Sequence, residues 1–329
     1  MKNFSYVRAT SVKEAVQQAS SSPTAMFIAG GTNLVDRMKV FLDEPSQLID
    51  INRLGMTRIE QTSSGLRLGA LVSNTAVADH PEVRRNYPML SRAILLGASQ
   101  QIRNVATTGG NLLQRTRCPY YYDTAFNCNK REPGTGCAAL TGINRIHALF
   151  GASDQCVAVH PSDMCVPLAA LEAIVEVEGA KGKRQIPFTN FHRLPGDTPQ
   201  RDTNLEPGEL ITAVILPSAS FANSVYLKLR DRASYAFALV SVAAAVEMAD
   251  NRIKTARLAM GGMAHKPWRF TEAETFLTGK AATTETFQQA AEVALQGAKP
   301  LEHNGFKVEL AKRAIRRALT VSAKGGGIA

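Results

Sequence analysis

Cysteine is absent from most of this chain: residues 1–105 and 166–329 contain none, and all five cysteines lie within residues 106–165. An odd number of cysteines in one segment is a poor disulfide framework, so the pattern favours metal binding in a reducing compartment. No C-x-x-C pair occurs, which disfavours a zinc knuckle without excluding zinc.

Aromatic residues are also scarce, at 6%, although the net charge is +10. A nucleic-acid-binding protein usually gathers such charge into one stripe with interleaved aromatics. Here Lys and Arg are scattered, so no nucleic-acid partner is predicted. The densest basic run, residues 312–317, has helical spacing and favours a solvated helix face. A docking face for an acidic partner subunit is the alternative.

Long apolar runs are missing as well. No window reaches the roughly 18 consecutive apolar residues that a membrane span needs, so no membrane partner is predicted. Residues 1–6 lead into a strand-like start without the apolar region of a secretory signal. The sequence therefore predicts no export signal of its own.

The pattern of elements predicts an α+β protein of two domains. Strands and helices alternate over about the first 50 residues, which is typical of a small α/β unit. The pattern changes near Pro217, after which strands come first and helices follow. The predicted strands are 224–229, 238–249 and 253–260, and the predicted helices are 271–277, 284–296 and 306–320. The alanines of 238–249 leave a partly helical course open.

Two glycine-paired turns stand out. Residues 28–33 (IAGGTN) follow a strand and open a helix, and residues 107–111 (TTGGN) repeat the same residue types. Glycine has no Cβ, so backbone N–H groups can close on an anion there. Two such turns could hold the pyrophosphate of one dinucleotide from both sides. The alternative is that both are plain structural turns.

Four of the cysteines form a candidate metal site. Cys118, Cys128, Cys137 and Cys156 are separated by nine, eight and eighteen residues in a segment rich in proline, glycine and asparagine. Four soft thiolates on a wrapping loop suit an iron–sulfur cluster. Cys165 lies in an apolar helical run, where a cysteine acts as a small hydrophobe, and is left out. The alternative is five ordinary thiols.

Two charged residues have both a functional and a structural interpretation. Asp163 follows His160 just before a predicted helix, where it could accept from a ribose hydroxyl or cap the helix. Lys228 has an apolar strand neighbour on each side. It could stabilise an anionic reduced flavin or lie on the solvent face of its strand.

Three segments together carry a family resemblance: residues 27–34 (FIAGGTNL), 106–111 (ATTGGN) and 160–163 (HPSD). The chain resembles the FAD-binding subunits of the molybdenum hydroxylases, the xanthine dehydrogenase and carbon monoxide dehydrogenase family. Its cysteine segment is similar to an insertion in a few members, and the chain is most similar to the FAD and [4Fe–4S] subunits of bacterial periplasmic aldehyde oxidoreductases.

The resemblance implies a domain organisation. An FAD-binding PCMH-type α/β domain would span residues 1–217, with subdomains of about 1–55 and 56–217 and a cysteine-rich insertion of about 115–158. A domain like the CO dehydrogenase flavoprotein C-terminal domain, an antiparallel sheet with helices, would span 218–329.

The resemblance also implies a function. The chain would be the FAD-containing electron-transfer subunit of a heterotrimeric molybdenum enzyme that oxidises aldehydes to carboxylic acids. It would pass electrons from iron–sulfur centres via FAD to an external acceptor. Its partners would be a large molybdenum-cofactor subunit and a small [2Fe–2S] subunit. The alternatives are a self-sufficient FAD oxidase and the flavoprotein subunit of a related enzyme, such as xanthine dehydrogenase or an aromatic acyl-CoA reductase.

Site residues follow from the resemblance too. No residue of this chain would touch the aldehyde, so none is catalytic. Cys118, Cys128, Cys137 and Cys156 would hold a [4Fe–4S] cluster. Periplasmic location by co-export with a partner is expected, with the cytoplasm as the fallback. The residues implied to contact FAD are Phe27, Ile28, Ala29, Gly30, Gly31, Thr32, Asn33, Leu34, Thr107, Thr108, Gly109, Gly110, Asn111, Asp163, Ile211 and Lys228.

Overall fold

A computed structural model describes residues 1–218 and 221–326. Its strands form three sheets, of three, five and four strands. The predicted boundary near Pro217 borders residues 219–220, and the predicted second domain ends with residues 327–329; both short stretches lie outside the described residues. None of the helices in the described ranges is long and apolar enough to span a membrane.

The first sheet is small and parallel. Its strands are β1 (Ser5–Arg8), β2 (Ala25–Ile28) and β3 (Gln47–Asp50), with β3 in the middle. Helix α1 (Val12–Ser21) connects β1 to β2, and the Ser11 side chain caps it by accepting from the Glu14 amide. Ligands of open parallel sheets bind beyond the carboxyl ends of the strands. The first glycine turn lies at such an end, directly after β2.

The second sheet is antiparallel and has five strands: β4 (Ile59–Thr62), β5 (Gly65–Gly69), β6 (Ile174–Gly179), β7 (Gly182–Pro187) and β8 (Leu210–Pro217). The central strand β8 is buried along nearly its whole length. The strand order across this sheet is β4-β5-β8-β6-β7. Short helices lie in the chain before β6, most of them between β5 and β6. They are α2 (Leu34–Lys39), α3 (Asn74–Asp79), α4 (Pro81–Asn86), α5 (Pro88–Leu96), α6 (Gln100–Val105), α7 (Thr108–Leu112), α8 (Pro119–Tyr122) and α9 (Cys165–Ala170). Helix α9 begins at Cys165, whose amide donates to the Ser162 side chain at 3.2 Å.

The third sheet carries the C-terminal helices. Its strands are β9 (Ser224–Leu229), β10 (Val240–Ala249), β11 (Arg252–Gly261) and β12 (Trp268–Arg269). The alanine-rich β10 is a strand throughout, since β9 and β11 pair with it on both edges. Asp250 and Asn251 join β10 to β11 with φ of +49° and +59°, as a two-residue type I′ hairpin requires. The helices are α10 (Thr271–Leu277), α11 (Thr284–Leu295) and α12 (Phe306–Ala323).

The cysteine-rich segment, residues 115–158, has little regular structure and its own small core. Three of its cysteines, Tyr121 and Val157 are among the buried residues of that core. The segment is attached to the C-terminal domain, because the amides of Leu149 and Phe150 both donate to the Met263 carbonyl, at 2.8 and 3.0 Å. The loop is therefore fixed from both domains.

Candidate functional site

A cavity with a volume of about 1200 Å³ is lined by residues of all three sheet units. This exceeds the roughly 300–1,000 Å³ of most small-molecule pockets, so it suits a ligand of dinucleotide size. Fifteen of the sixteen residues implied to contact FAD line it. They are Phe27, Ile28, Ala29, Gly30, Gly31, Thr32, Asn33, Leu34, Thr107, Gly109, Gly110, Asn111, Asp163, Ile211 and Lys228. Thr108 does not, because its hydroxyl and amide both donate to the Val72 carbonyl in the core.

The first glycine turn leaves its donors free. No described residue accepts a hydrogen bond from the backbone amides of Gly30, Gly31 or Thr32. Gly31 has φ of +70°, which favours glycine, and a Cβ on Gly30 would lie 2.1 Å from the Val105 carbonyl oxygen. The turn can therefore pack this closely only with glycine at position 30, and its amides remain available to an anion.

Asn33 adds a side-chain donor to this turn. Its Oδ1 accepts from the Arg37 guanidinium at 2.8 Å and from the Arg115 amide at 3.3 Å. Its buried Nδ2 has no partner of good hydrogen-bond geometry among the described residues, although the Tyr122 hydroxyl lies near it. An acceptor such as a phosphate oxygen would satisfy that donor. Free amides, a free buried amide nitrogen and the cavity volume together fit FAD.

The second glycine turn contributes differently from the first. Thr107 caps α7 by accepting from the Gly110 amide at 3.3 Å, and the amides of Thr108, Gly109 and Asn111 donate to carbonyls at 2.8–2.9 Å. Its amides are thus largely committed within the protein. The second turn therefore contributes its glycines and the Asn111 side chain to the cavity wall. The backbone amides without an acceptor are those of the first turn.

Asp163 and Lys228 form a buried ion pair on the wall of the cavity. The Lys228 Nζ lies 2.7 Å from one oxygen of Asp163, and the Tyr226 hydroxyl donates to the other at 2.6 Å. Lys228 also donates to the Leu96 carbonyl at 3.0 Å. Burial raises the pKa of Asp163, and the neighbouring ammonium opposes that rise. Lys228 is therefore a fixed cation rather than a solvent-facing residue.

Sequence reasoning missed Tyr226 and Arg115. Tyr226 is two residues before Lys228, on the same face of β9, so the period of two in a strand is the signal that could have found it. Arg115 lines the cavity and pairs with Asp202 at 2.5 Å. The buried Lys130 of the cysteine segment pairs with the same carboxylate. The Asp202 carboxylate therefore connects the cavity to the cysteine segment through its two ion pairs.

The structure brings four cysteines together. Cys118, Cys128, Cys137 and Cys156 line one small cavity, and a β-bridge pairs Cys128 with Cys137. Burial raises the pKa of Cys118 to about 12 and that of Cys156 to about 11, so without a metal both are neutral thiols. Metal binding there would have to displace their protons.

The spacing of these four sulfurs bears on the kind of metal. Zinc held at 2.3 Å by tetrahedral thiolates would draw sulfurs to about 4 Å from one another. Among the described residues, the one group of three or more candidate donor atoms that all lie within 4.8 Å is His160, Cys165 and His192. No three of the four cysteine sulfurs therefore lie within 4.8 Å of one another in the described structure.

Cys165 lies elsewhere, in a separate hydrophobic core. It is fully buried near His160 and His192, whose ring centroids are 4.3 Å apart. Burial lowers the pKa of both histidines. Lys130 acts in the same direction on His160, and Lys266 does so on His192. A further cation would meet that same positive field, so this trio is better described as core packing.

Comparison with known proteins decides the family. The model described as "FAD binding domain in molybdopterin dehydrogenase" matches residues 2–219, and "CO dehydrogenase flavoprotein C-terminal domain" matches 225–321. The chain belongs to the FAD-binding subunits of the molybdenum hydroxylase family. The resemblance inferred from the three motifs is confirmed, and so are the predicted fold class and the oxidoreductase type.

Individual relatives support this flavoprotein assignment. The aldehyde oxidoreductase FAD-binding subunit of Escherichia coli is 51% identical over 97% of this chain and 98% of that protein. The glyceraldehyde dehydrogenase medium chain of Sulfolobus acidocaldarius is 29% identical over 92% of this chain and 91% of its own.

Two solved structures have the same fold over 99% of both chains, each at 26% identity. Quinoline 2-oxidoreductase from Pseudomonas putida 86 has a TM-score of 0.76. A carbon monoxide dehydrogenase from Hydrogenophaga pseudoflava has 0.77. FAD is thus supported as the cofactor, while the iron–sulfur cluster stays a prediction.

Proposed function

We propose that this chain is the FAD-containing electron-transfer subunit of a heterotrimeric molybdenum enzyme that oxidises aldehydes to carboxylic acids. The observation that carries the proposal is the 51% identity, over nearly the full length of both chains, to the Escherichia coli aldehyde oxidoreductase FAD-binding subunit. Its partners are a large molybdenum-cofactor subunit and a small [2Fe–2S] subunit. The subunit relays electrons from aldehyde oxidation to an external acceptor.

The residues of this chain bind and orient the cofactor. The amides of Gly30, Gly31 and Thr32 have no acceptor in the described residues and suit the FAD pyrophosphate. Lys228 holds a positive charge at the cavity wall, locked by Asp163. Bound FAD supplies the one- and two-electron chemistry that the relay needs. No residue of this chain is assigned to contact the aldehyde, so the chain holds the cofactor and leaves the oxidation to the partner that carries molybdenum.

The second part of the proposal is a [4Fe–4S] cluster on Cys118, Cys128, Cys137 and Cys156. Four thiolates converging on one site are what such a cluster requires. In support, the four cysteines line one small cavity, and no three of their sulfurs in the described structure lie within 4.8 Å of one another. The free Cys165 is in a different core.

An activity assay separates this proposal from a self-sufficient FAD oxidase. The chain would be purified alone and together with its two partner subunits, and aldehyde oxidation with an artificial acceptor would be measured for both. Turnover is expected only for the complex. Robust turnover by the chain alone would contradict the subunit proposal. Absence of a bound yellow flavin would contradict the FAD assignment.

Location is a separate proposal. The subunit reaches the periplasm by export of the assembled complex on a partner's signal. The support is the resemblance to the FAD and [4Fe–4S] subunits of bacterial periplasmic aldehyde oxidoreductases. Fractionation of cells that lack the small partner subunit tests this. Retention of the chain in the cytoplasm is expected there, and unchanged periplasmic recovery would contradict co-export.

A further inference from the structure

The sulfur of Cys118 has a side-chain partner that the other three cysteines lack. The Nε2 atom of His147 lies 3.1 Å from the Cys118 Sγ, and both residues are buried. In residues 1–218 and 221–326, no side chain lies within hydrogen-bond distance of the Sγ of Cys128, Cys137 or Cys156. The contact therefore makes one of the four proposed ligands different from the rest.

The backbone of His147 is held in place from the C-terminal domain. Its carbonyl accepts from the Lys307 ammonium at 2.8 Å and from the Asn304 amide at 3.2 Å. Both of these side chains are completely buried. The His147 amide donates in turn to the Asn144 carbonyl at 3.1 Å. The backbone of His147 is thus fixed on both sides, and its buried ring lies against the Cys118 sulfur.

The direction of this hydrogen bond follows from the chemistry of a metal-bound sulfur. A thiolate that ligates iron has no proton and can only accept. A lone pair on the His147 Nε2 would be repelled by that sulfur. The Nε2 atom must therefore carry a proton, whether the ring is neutral or charged. The contact is then an N–H···S bond from His147 to Cys118.

We propose that His147 is a positioning residue for the iron–sulfur site, which donates to the Cys118 thiolate and raises the reduction potential of the cluster. Reduction adds negative charge to the cluster and its sulfurs. A donor on a ligand sulfur stabilises that charge more than it stabilises the oxidised state, and such hydrogen bonds are among the determinants of cluster potential. The proposal rests on the [4Fe–4S] cluster proposed above.

The test compares three variants of the full chain, purified without the [2Fe–2S] subunit so that any iron belongs to the proposed cluster. His147→Leu removes the donor, His147→Gln keeps an amide N–H at a similar reach, and His80→Leu removes a half-buried histidine outside the cysteine segment. Iron, acid-labile sulfide and FAD contents are measured first, followed by the midpoint potential of the cluster in an EPR-monitored redox titration.

We expect His147→Leu to keep its iron and FAD and to shift the midpoint to a more negative value. His147→Gln should shift it less, and His80→Leu should leave it unchanged. An unchanged midpoint in His147→Leu would overturn the proposal. Loss of iron in both His147 variants with FAD retained would also overturn it, because His147 would then be a ligand. A parent chain without iron would refute the cluster itself, which separates the two failures.

Discussion

Replacing Gly30 with alanine tests the close contact between the first glycine turn and Val105, the last residue of α6. A Cβ at position 30 would lie 2.1 Å from the Val105 oxygen and 2.8 Å from the Val105 carbon, and real Cβ atoms essentially never come within 3.0 Å. The neighbour is backbone, so it cannot rotate aside as a flexible side chain could. The first turn would have to move by about 1 Å, and such overpacking costs about 1–3 kcal/mol.

The expected result of Gly30→Ala is weaker FAD binding. About 1.4 kcal/mol corresponds to a tenfold change in affinity, so we expect the dissociation constant to rise about tenfold or more. Gly305→Ala is the matched control, because a Cβ there meets nothing within 4 Å and the backbone φ is −57°. Both variants would be titrated with FAD after removal of the bound flavin. Equal affinity of Gly30→Ala and the parent would refute the assignment of this turn to FAD.

Three further predictions concern buried side chains. The first is that Cys165→Ala should keep the full iron content and FAD. Serine at any one of the four proposed ligands should instead lower iron and acid-labile sulfide; these are Cys118, Cys128, Cys137 and Cys156. Iron lost with Cys165→Ala alone, or zinc found in place of iron, would show that the ligands are wrongly assigned. The second is that Lys228→Met should lower the free energy of unfolding by about 3–5 kcal/mol, because it leaves Asp163 without its cation. Adding Asp163→Asn should restore part of that stability. Urea unfolding of both variants measures this. A double variant no more stable than Lys228→Met would contradict the ion-pair account. Burial raises the pKa of Asp202, but Lys130 and Arg115 hold it well below its usual range, so this carboxylate stabilises the fold above about pH 4 and loses that effect as the pH falls. Asp202→Asn should therefore flatten the acid limb of the stability curve, and an identical limb would contradict this.

Local chemistry was readable from the sequence wherever it rests on neighbouring residues. Residues 28–33 show both the glycine pair and its position between a strand and a helix. In the structure these residues line the cavity. The Asp250–Asn251 turn carries its own conformational preference, and its positive φ values follow from it. The four cysteines were selected because they share one polar segment, while Cys165 stood out through its apolar neighbours.

Long-range partners could not be predicted in the same way. Nothing near Asp163 indicates that Lys228, 65 positions later, neutralises it, since that pairing depends on how the third sheet packs against α5 and α9. The two glycine turns look equivalent as sequence, yet the amides of the second are committed to carbonyls such as that of Ala70. The contact of His147 with Cys118 likewise depends on Lys307, which comes from another domain.

The central claim is that this chain holds FAD as a relay and has no aldehyde chemistry of its own. Anaerobic mixing with an aldehyde, followed by the flavin absorption, tests it most directly. The account predicts that the flavin of the assembled three-subunit complex is bleached, and that the flavin of the isolated chain stays oxidised while dithionite still reduces it. Bleaching of the isolated chain by aldehyde would contradict the account.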